Sequence, residues 1–82
     1  MQQLHNTEHY GDHVLQNIEA WIMRNVNRPI KGFDQKKNID GTLYTKSQQV
    51  ASTRFQAVTI AAYFIARGKS EKEILGILEV FC

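Results

Sequence analysis

The 82-residue sequence has little of several things, and each shortage excludes something. It has one cysteine, Cys82, so no disulfide can form within the chain, and nothing points to an oxidising compartment. It has one proline, Pro29, so only one stretch is barred outright from a regular helix. No apolar run approaches the roughly 20 residues of a membrane span, and the start, M-Q-Q-L-H-N-T-E-H-Y, has neither a basic nor an apolar signal region. A cytoplasmic, non-membrane setting is the expectation. There is no glycine-rich phosphate loop, no nucleophile elbow and no isolated pair of carboxylates, so no cofactor and no enzymatic activity are expected.

What remains is globular, with 43% hydrophobic and 22% charged residues. A chain this short buries about 60 to 65% of its unfolded surface, near the lower limit for a single core. Every apolar face is therefore needed, and a homodimer is expected to cover what one core leaves open.

Charge is distributed unevenly. Residues 1–23 hold Glu8, Asp12 and Glu19 and no Lys or Arg. Residues 24–46 hold six cations, Arg24, Arg28, Lys31, Lys36, Lys37 and Lys46, against Asp34 and Asp40, a local net of +4 within a total of +2. These six are the candidate surface for an acidic protein partner or for nucleic acid, with Phe33 and Tyr44 placed to stack.

The stretch Val50 to Ala66 organises the rest. Ala51, Phe55, Val58, Ala62 and Ile65 recur at helical spacing, and Ala57, Ile60, Ala61 and Phe64 widen the apolar arc to most of the circumference. Such a helix is expected to be buried at the centre, its Phe and Tyr residues in the core together with Trp21. Thr45 and Gln48 form a capping-box pattern at its start, and Gly68 is placed for a left-handed C-cap. Ser70 and Glu73 repeat the capping box and open a last helix with Ile74, Leu75, Ile77, Leu78 and Phe81 on its apolar side.

Upstream, Asp12 can cap a helix in which Val14, Leu15, Ile18, Trp21, Ile22 and Val26 share one face, ending before Pro29. Residues 1–11 read as a polar tail or one short turn, with Gly11 as a breaker. The expected architecture is a single all-α domain over 1–82. It has three helices, 12–27, 45–67 and 70–81, or four if the N-terminal turn forms, and ends in an αα-hairpin. Residues 27–44 make a long irregular connection, in which Asn38-Ile39-Asp40-Gly41 suits a type I turn and a small hairpin.

Three motifs bear on function. His5, Glu8, His9, Asp12 and His13 place histidines four apart, and His5 to His9 fits the H-x-x-E-H order of inverted zinc peptidases. A solvated polar end is the simpler reading, because no downstream carboxylate ligand or large fold accompanies the motif. Lys36 to Ser47 resembles a degenerate EF-hand loop, with Asn38, Asp40 and Gly41 at its third, fifth and sixth positions. Lys36 and Ser47 stand where that family has acidic ligands, so the resemblance implies a turn and not a calcium site. Ile65 to Leu75, I-A-R-G-K-S-E-K-E-I-L, resembles the first part of the helix-turn-helix of LuxR-type regulators. There the groove-reading helix follows this segment, and here the sequence ends at Cys82.

The sequence thus points to a small non-catalytic helical module that binds another protein, of the bacterial or phage-type regulator or inhibitor kind. The alternative is a helix-turn-helix DNA-binding transcriptional regulator.

Overall fold

The computed structural model describes the backbone from Gln2 to Cys82 and the side chains from His13 onward. Three α-helices follow one another: α1, Gln2–Asn25; α2, Lys46–Ala66; and α3, Glu71–Leu78. Single 3₁₀ turns occupy Phe33–Gln35 and Glu79–Phe81. The described residues include no strand, and one isolated antiparallel bridge joins Lys37 to Leu43. The domain is all-α, as the periodicities require.

Local signals place the ends of α2 and α3. Thr45 caps α2, its hydroxyl accepting from the Gln48 N–H at 3.2 Å while the Gln48 side chain accepts from the Thr45 N–H at 2.9 Å. Ser70 and Glu73 do the same for α3 at 3.2 and 3.0 Å. Each reciprocal pair satisfies two backbone N–H groups that a helix start otherwise leaves unpaired. At the end of α2, Gly68 has φ of 86°. Its N–H donates to the Ile65 carbonyl at 3.0 Å and the Lys69 N–H to the Phe64 carbonyl at 3.1 Å. That is a Schellman motif, and it turns the chain directly into α3.

Helix α1 differs from expectation at its start. It begins at Gln2, not at Asp12, and continues through Gly11. A glycine inside a helix costs only about 1 kcal/mol relative to alanine, so by itself it does not stop a helix. At the other end α1 finishes at Asn25, two residues earlier than expected. The last turn before Cys82 tightens to 3₁₀, so α3 proper is shorter than the 70–81 read from the sequence.

The core lies where the three helices meet. Ile18, Ile22 and Val26 supply it from α1, Ala57 and Ala61 from α2, and Ile74, Leu78 and Phe81 from the C-terminal segment. Val14, Trp21, Ile30, Val58, Ile60, Phe64, Ile65 and Leu75 pack around it, half-buried. The small Ala57 and Ala61 allow α1 and α3 to approach α2 closely, while the branched side chains of α1 and α3 fill the space.

This corrects the reading of α2 as a helix buried nearly all round. Only Thr53, Ala57 and Ala61 of α2 are buried. Phe55 is 73% exposed and Tyr63 52%, and Ala51 and Ala62 are exposed too. Trp21 lies at the edge of the core, not inside it. With one helix on each side of a single stripe, α2 is covered on that stripe alone.

Candidate functional site

The connection between α1 and α2 is irregular but firmly tied. Thr53 is fully buried on α2, and its hydroxyl accepts from the Ile30 N–H at 3.0 Å while donating to the Gln49 carbonyl at 2.9 Å. One turn of chemistry thereby joins the residue after Pro29 to the middle of α2. Next to it, Arg54 crosses to the end of α1. Its Nε donates to the Val26 carbonyl at 2.8 Å, and its Nη2 to Asn27 Oδ1 at 3.0 Å and the Met23 carbonyl at 3.4 Å. A guanidinium at a helix C-terminus satisfies orphan carbonyls and opposes the negative end of the helix dipole. Arg54 is half-buried and its fork is used in this way, so it is a structural cation.

The rest of the connection folds back as a small hairpin. The Gly41 N–H donates to the Asn38 carbonyl at 2.9 Å, the expected β-turn bond, and the Asn38 N–H donates to the Thr42 carbonyl at 2.7 Å. Gln48 Nε2 donates to Asn38 Oδ1 at 2.7 Å, which fastens the turn to the first turn of α2. The Tyr44 N–H donates to the Lys36 carbonyl at 2.9 Å.

Within this turn the Asp40 carboxylate accepts from the Thr42 hydroxyl at 2.7 Å and from the Thr42 N–H at 3.1 Å. These bonds, the hydroxyl first, hold its pKa below the ordinary 3.8. Asp40 therefore serves the turn. Glu73 is likewise held below its ordinary 4.5, first by the Ser70 N–H, then by the Ser70 hydroxyl, then by the nearby Lys69.

Folding sorts the six candidate cations onto different places. All six are exposed. Arg28 and Lys31 line an open groove of about 530 Å³ with Pro29, Ile30, Val80 and Phe81. Lys36 lines another, of about 370 Å³, with Phe33, Tyr44, Ala51, Ser52, Phe55 and Gln56. Arg24, Lys37 and Lys46 line neither. A third groove, against Trp21 and Leu75, is rimmed by Glu71, Lys72 and Glu79.

The groove at Lys36 joins residues that the sequence reading named only in part. Phe33, Tyr44 and Lys36 come from the connection, as expected, but the other wall is α2, which contributes Ala51, Ser52, Phe55 and Gln56. Phe55 belongs also to the outer face of α2. From Gln48 to Ala66 that face holds Ala51, Phe55, Thr59, Ala62 and Tyr63, and carries no charge at all. Beyond its far end Arg67 stacks over the Tyr63 ring at 4.2 Å from the centroid.

Phe55 and Tyr63 were missed because an arc that wide does not say which side is covered. The usable signal was the size of the core: one 82-residue domain cannot surround a 21-residue helix.

The other two motifs give less. The side chains of His5, Glu8, His9 and Asp12 lie outside the described residues, and His13 is exposed. Among the described residues, no three His, Cys, Asp or Glu side chains are grouped to hold a metal ion. Among them, too, no helix is long and apolar enough to cross a membrane. The polar side of α3 offers Glu71, Lys72 and Glu73, and Ile74 and Leu78 are buried beneath it. Comparisons with protein-family models, with curated proteins and with solved structures match this chain to nothing.

Proposed function

We propose that this chain is a non-catalytic protein–protein interaction module, a small regulator or inhibitor of the bacterial or phage type. The observation that carries the reading is the outer face of α2. It is a long, uncharged, solvent-facing helix surface in which Phe55 and Tyr63 stand largely exposed, and it runs into a groove whose walls are tied in place. Large aromatic anchors beside a preformed pocket are what interfaces use, because little conformational freedom is lost when a partner docks.

Phe55→Asp and Tyr63→Asp test this directly. Both positions are exposed, so the thermal midpoint should stay within a few degrees of the parent. Display libraries of random peptides should enrich binders on the parent protein that are lost on both variants. A library that yields no binder sensitive to either change sinks the proposal.

A homodimer is the second part of the proposal, and we assign it to other exposed apolar side chains, such as Met23 and Val80. Two copies of the α2 face would bring cation to cation, Lys36 against Arg67 in an antiparallel pair and each against its own copy in a parallel one, and like charges oppose pairing. Light scattering over a dilution series tests it, and a strict monomer at high concentration removes it.

The DNA-binding alternative rests on the exposure of all six cations of the connection and its flanks. It requires binding that falls steeply with salt and weakens in a Lys36→Glu, Lys37→Glu variant. The polar face of α3, with two carboxylates to one cation in its first turn, supplies no reading helix for it.

A further inference from the structure

Resting on the interaction-module reading, we propose that the partner element is an acidic amphipathic peptide segment. Its aromatic or aliphatic anchor would enter the groove between the connection and α2. Its carboxylates would meet Lys36 at one end of the α2 face and Arg67 at the other.

Charge complementarity selects this occupant. The groove is lined by Phe33, Tyr44 and Phe55 with one cation, Lys36, and no carboxylate among its lining residues. Lys36 is exposed, so its ammonium is available to an incoming anion. Two carboxylates lie on the same connection and neither lines the groove: Asp40 is engaged by Thr42, and Asp34 sits exposed on the turn beside Phe33. From the groove the face continues without charge to Tyr63, where the exposed Arg67 guanidinium lies over the ring. Ala51 to Ala66 spans about 22 Å at helical rise, which a helical segment of about 15 residues matches. An apolar strip closed at both ends by cations fits a segment that is apolar in the middle and acidic at its ends.

The same layout disfavours the other occupants. A nucleic-acid strand needs cations along its track, and this face has none between its two ends. A second copy of the chain brings cations to cations.

The groove is also prepared for an anchor. Its two walls are joined by the Gln48 to Asn38 bond, by the Tyr44 N–H to the Lys36 carbonyl, and by Gln49 Nε2 to the Tyr44 carbonyl at 3.1 Å. A side chain entering it finds aromatic walls already positioned, so less is lost to ordering the site when it binds.

The test is a phage-displayed library of random 16-residue peptides selected on the full chain. Enriched peptides are then synthesised and their affinities measured against the parent and three variants at two salt concentrations. The expected pool is net negative and carries at least one aromatic or large aliphatic residue. Phe55→Ala should weaken binding about 10-fold or more, as loss of a central anchor does. Lys36→Glu should weaken it about 10-fold and Arg67→Glu by several fold, both effects shrinking at high salt. Exchanging for lysine only the acidic residues at the peptide end that meets position 36 should restore binding to the Lys36→Glu variant, the end that meets Arg67 being left acidic.

An enriched pool that needs Phe55 but shows neither net negative charge nor dependence on Lys36 overturns this inference and leaves the interaction-module reading standing. A library with no Phe55-dependent binder overturns both. Salt-sensitive binding of a 20-nucleotide single strand that is lost in Phe55→Ala overturns it in favour of nucleic acid. A concentration-dependent dimer abolished by Phe55→Asp overturns it in favour of self-association.

Discussion

Replacing Arg54 with alanine is expected to cost the fold about 2 to 3 kcal/mol. The guanidinium makes two short hydrogen bonds, to the Val26 carbonyl and to Asn27 Oδ1, and a longer one to the Met23 carbonyl. Val26 is fully buried, so its carbonyl, at the C-terminal end of α1, has restricted access to water once the arginine is gone. A hydrogen bond from a charged donor contributes about 1.5 to 3 kcal/mol, and a cation at a helix C-terminus adds about 0.3 to 1 kcal/mol. The bond to the exposed Asn27 contributes at the low end of its range, because water replaces it readily.

Against a total stability of about 4 to 12 kcal/mol for a domain of this size, such a loss is large. It should lower the thermal midpoint by about 10 to 20 °C, followed by circular dichroism at 222 nm and checked against urea unfolding. Arg54→Lys keeps the charge near the dipole but loses the fork, and should fall about midway. The dipole part should shrink with salt in the parent, while the Val26 bond should not. An Arg54→Ala protein that melts within about 3 °C of the parent would refute the claim that this residue clamps α1 to α2.

Further outcomes follow from the same geometry. Thr53→Val keeps the volume but removes the acceptor for the Ile30 N–H, so it should cost about 1 to 3 kcal/mol, more than Thr53→Ser, which keeps both bonds; unfolding curves for the pair decide it. Gly68→Ala should destabilise by about 1 kcal/mol, because φ at 86° strains any side chain although nothing lies within 4 Å of a new Cβ. Gly76→Ala should stabilise by about 0.5 to 1 kcal/mol, since it sits inside α3 with the same open space and no positive φ. Asp40 and Glu73 have folded pKa values below their ordinary 3.8 and 4.5, so their contribution is present above those values and lost as pH falls through the lower folded ones. Carboxyl ¹³C titration should place both below the ordinary range, with protection of the Thr42 and Ser70 amides falling in step; titration at or above 3.8 and 4.5 contradicts it.

How much of this was legible differs between elements, for a physical reason. The caps at Thr45 and Ser70, the stop at Gly68 and the turn from Asn38 to Gly41 depend on groups within about five residues of one another. A chain carries such instructions wherever it goes, and all four appear as read. The inward face of α1 was equally plain, because Ile18, Ile22 and Val26 repeat every four residues while the charged and amide residues Glu19, Arg24 and Asn25 fall elsewhere on the helix. The apolar side of α3 was plain for the same reason in Ile74, Leu75, Leu78 and Phe81, but Ile77, read onto that side, is exposed. The start of α1 was not, since a single glycine is too small an obstacle to end a helix by itself.

Helix α2 shows where local reading stops. Its apolar residues surround the axis, so periodicity names no inside, and only the packing of α1 and α3 selects Thr53, Ala57 and Ala61 for burial. Tertiary structure alone turned Phe55 and Tyr63 outward, divided the six cations between two grooves and the open surface, and set Phe55 opposite Phe33 and Tyr44. It also gave Arg54 its work, 28 residues from the carbonyl it binds. By itself the sequence determined where α2 and α3 begin, where α2 stops and where the connection turns, because those choices are made by neighbours. The side of α2 left free for a partner was decided only when distant segments competed for the other side.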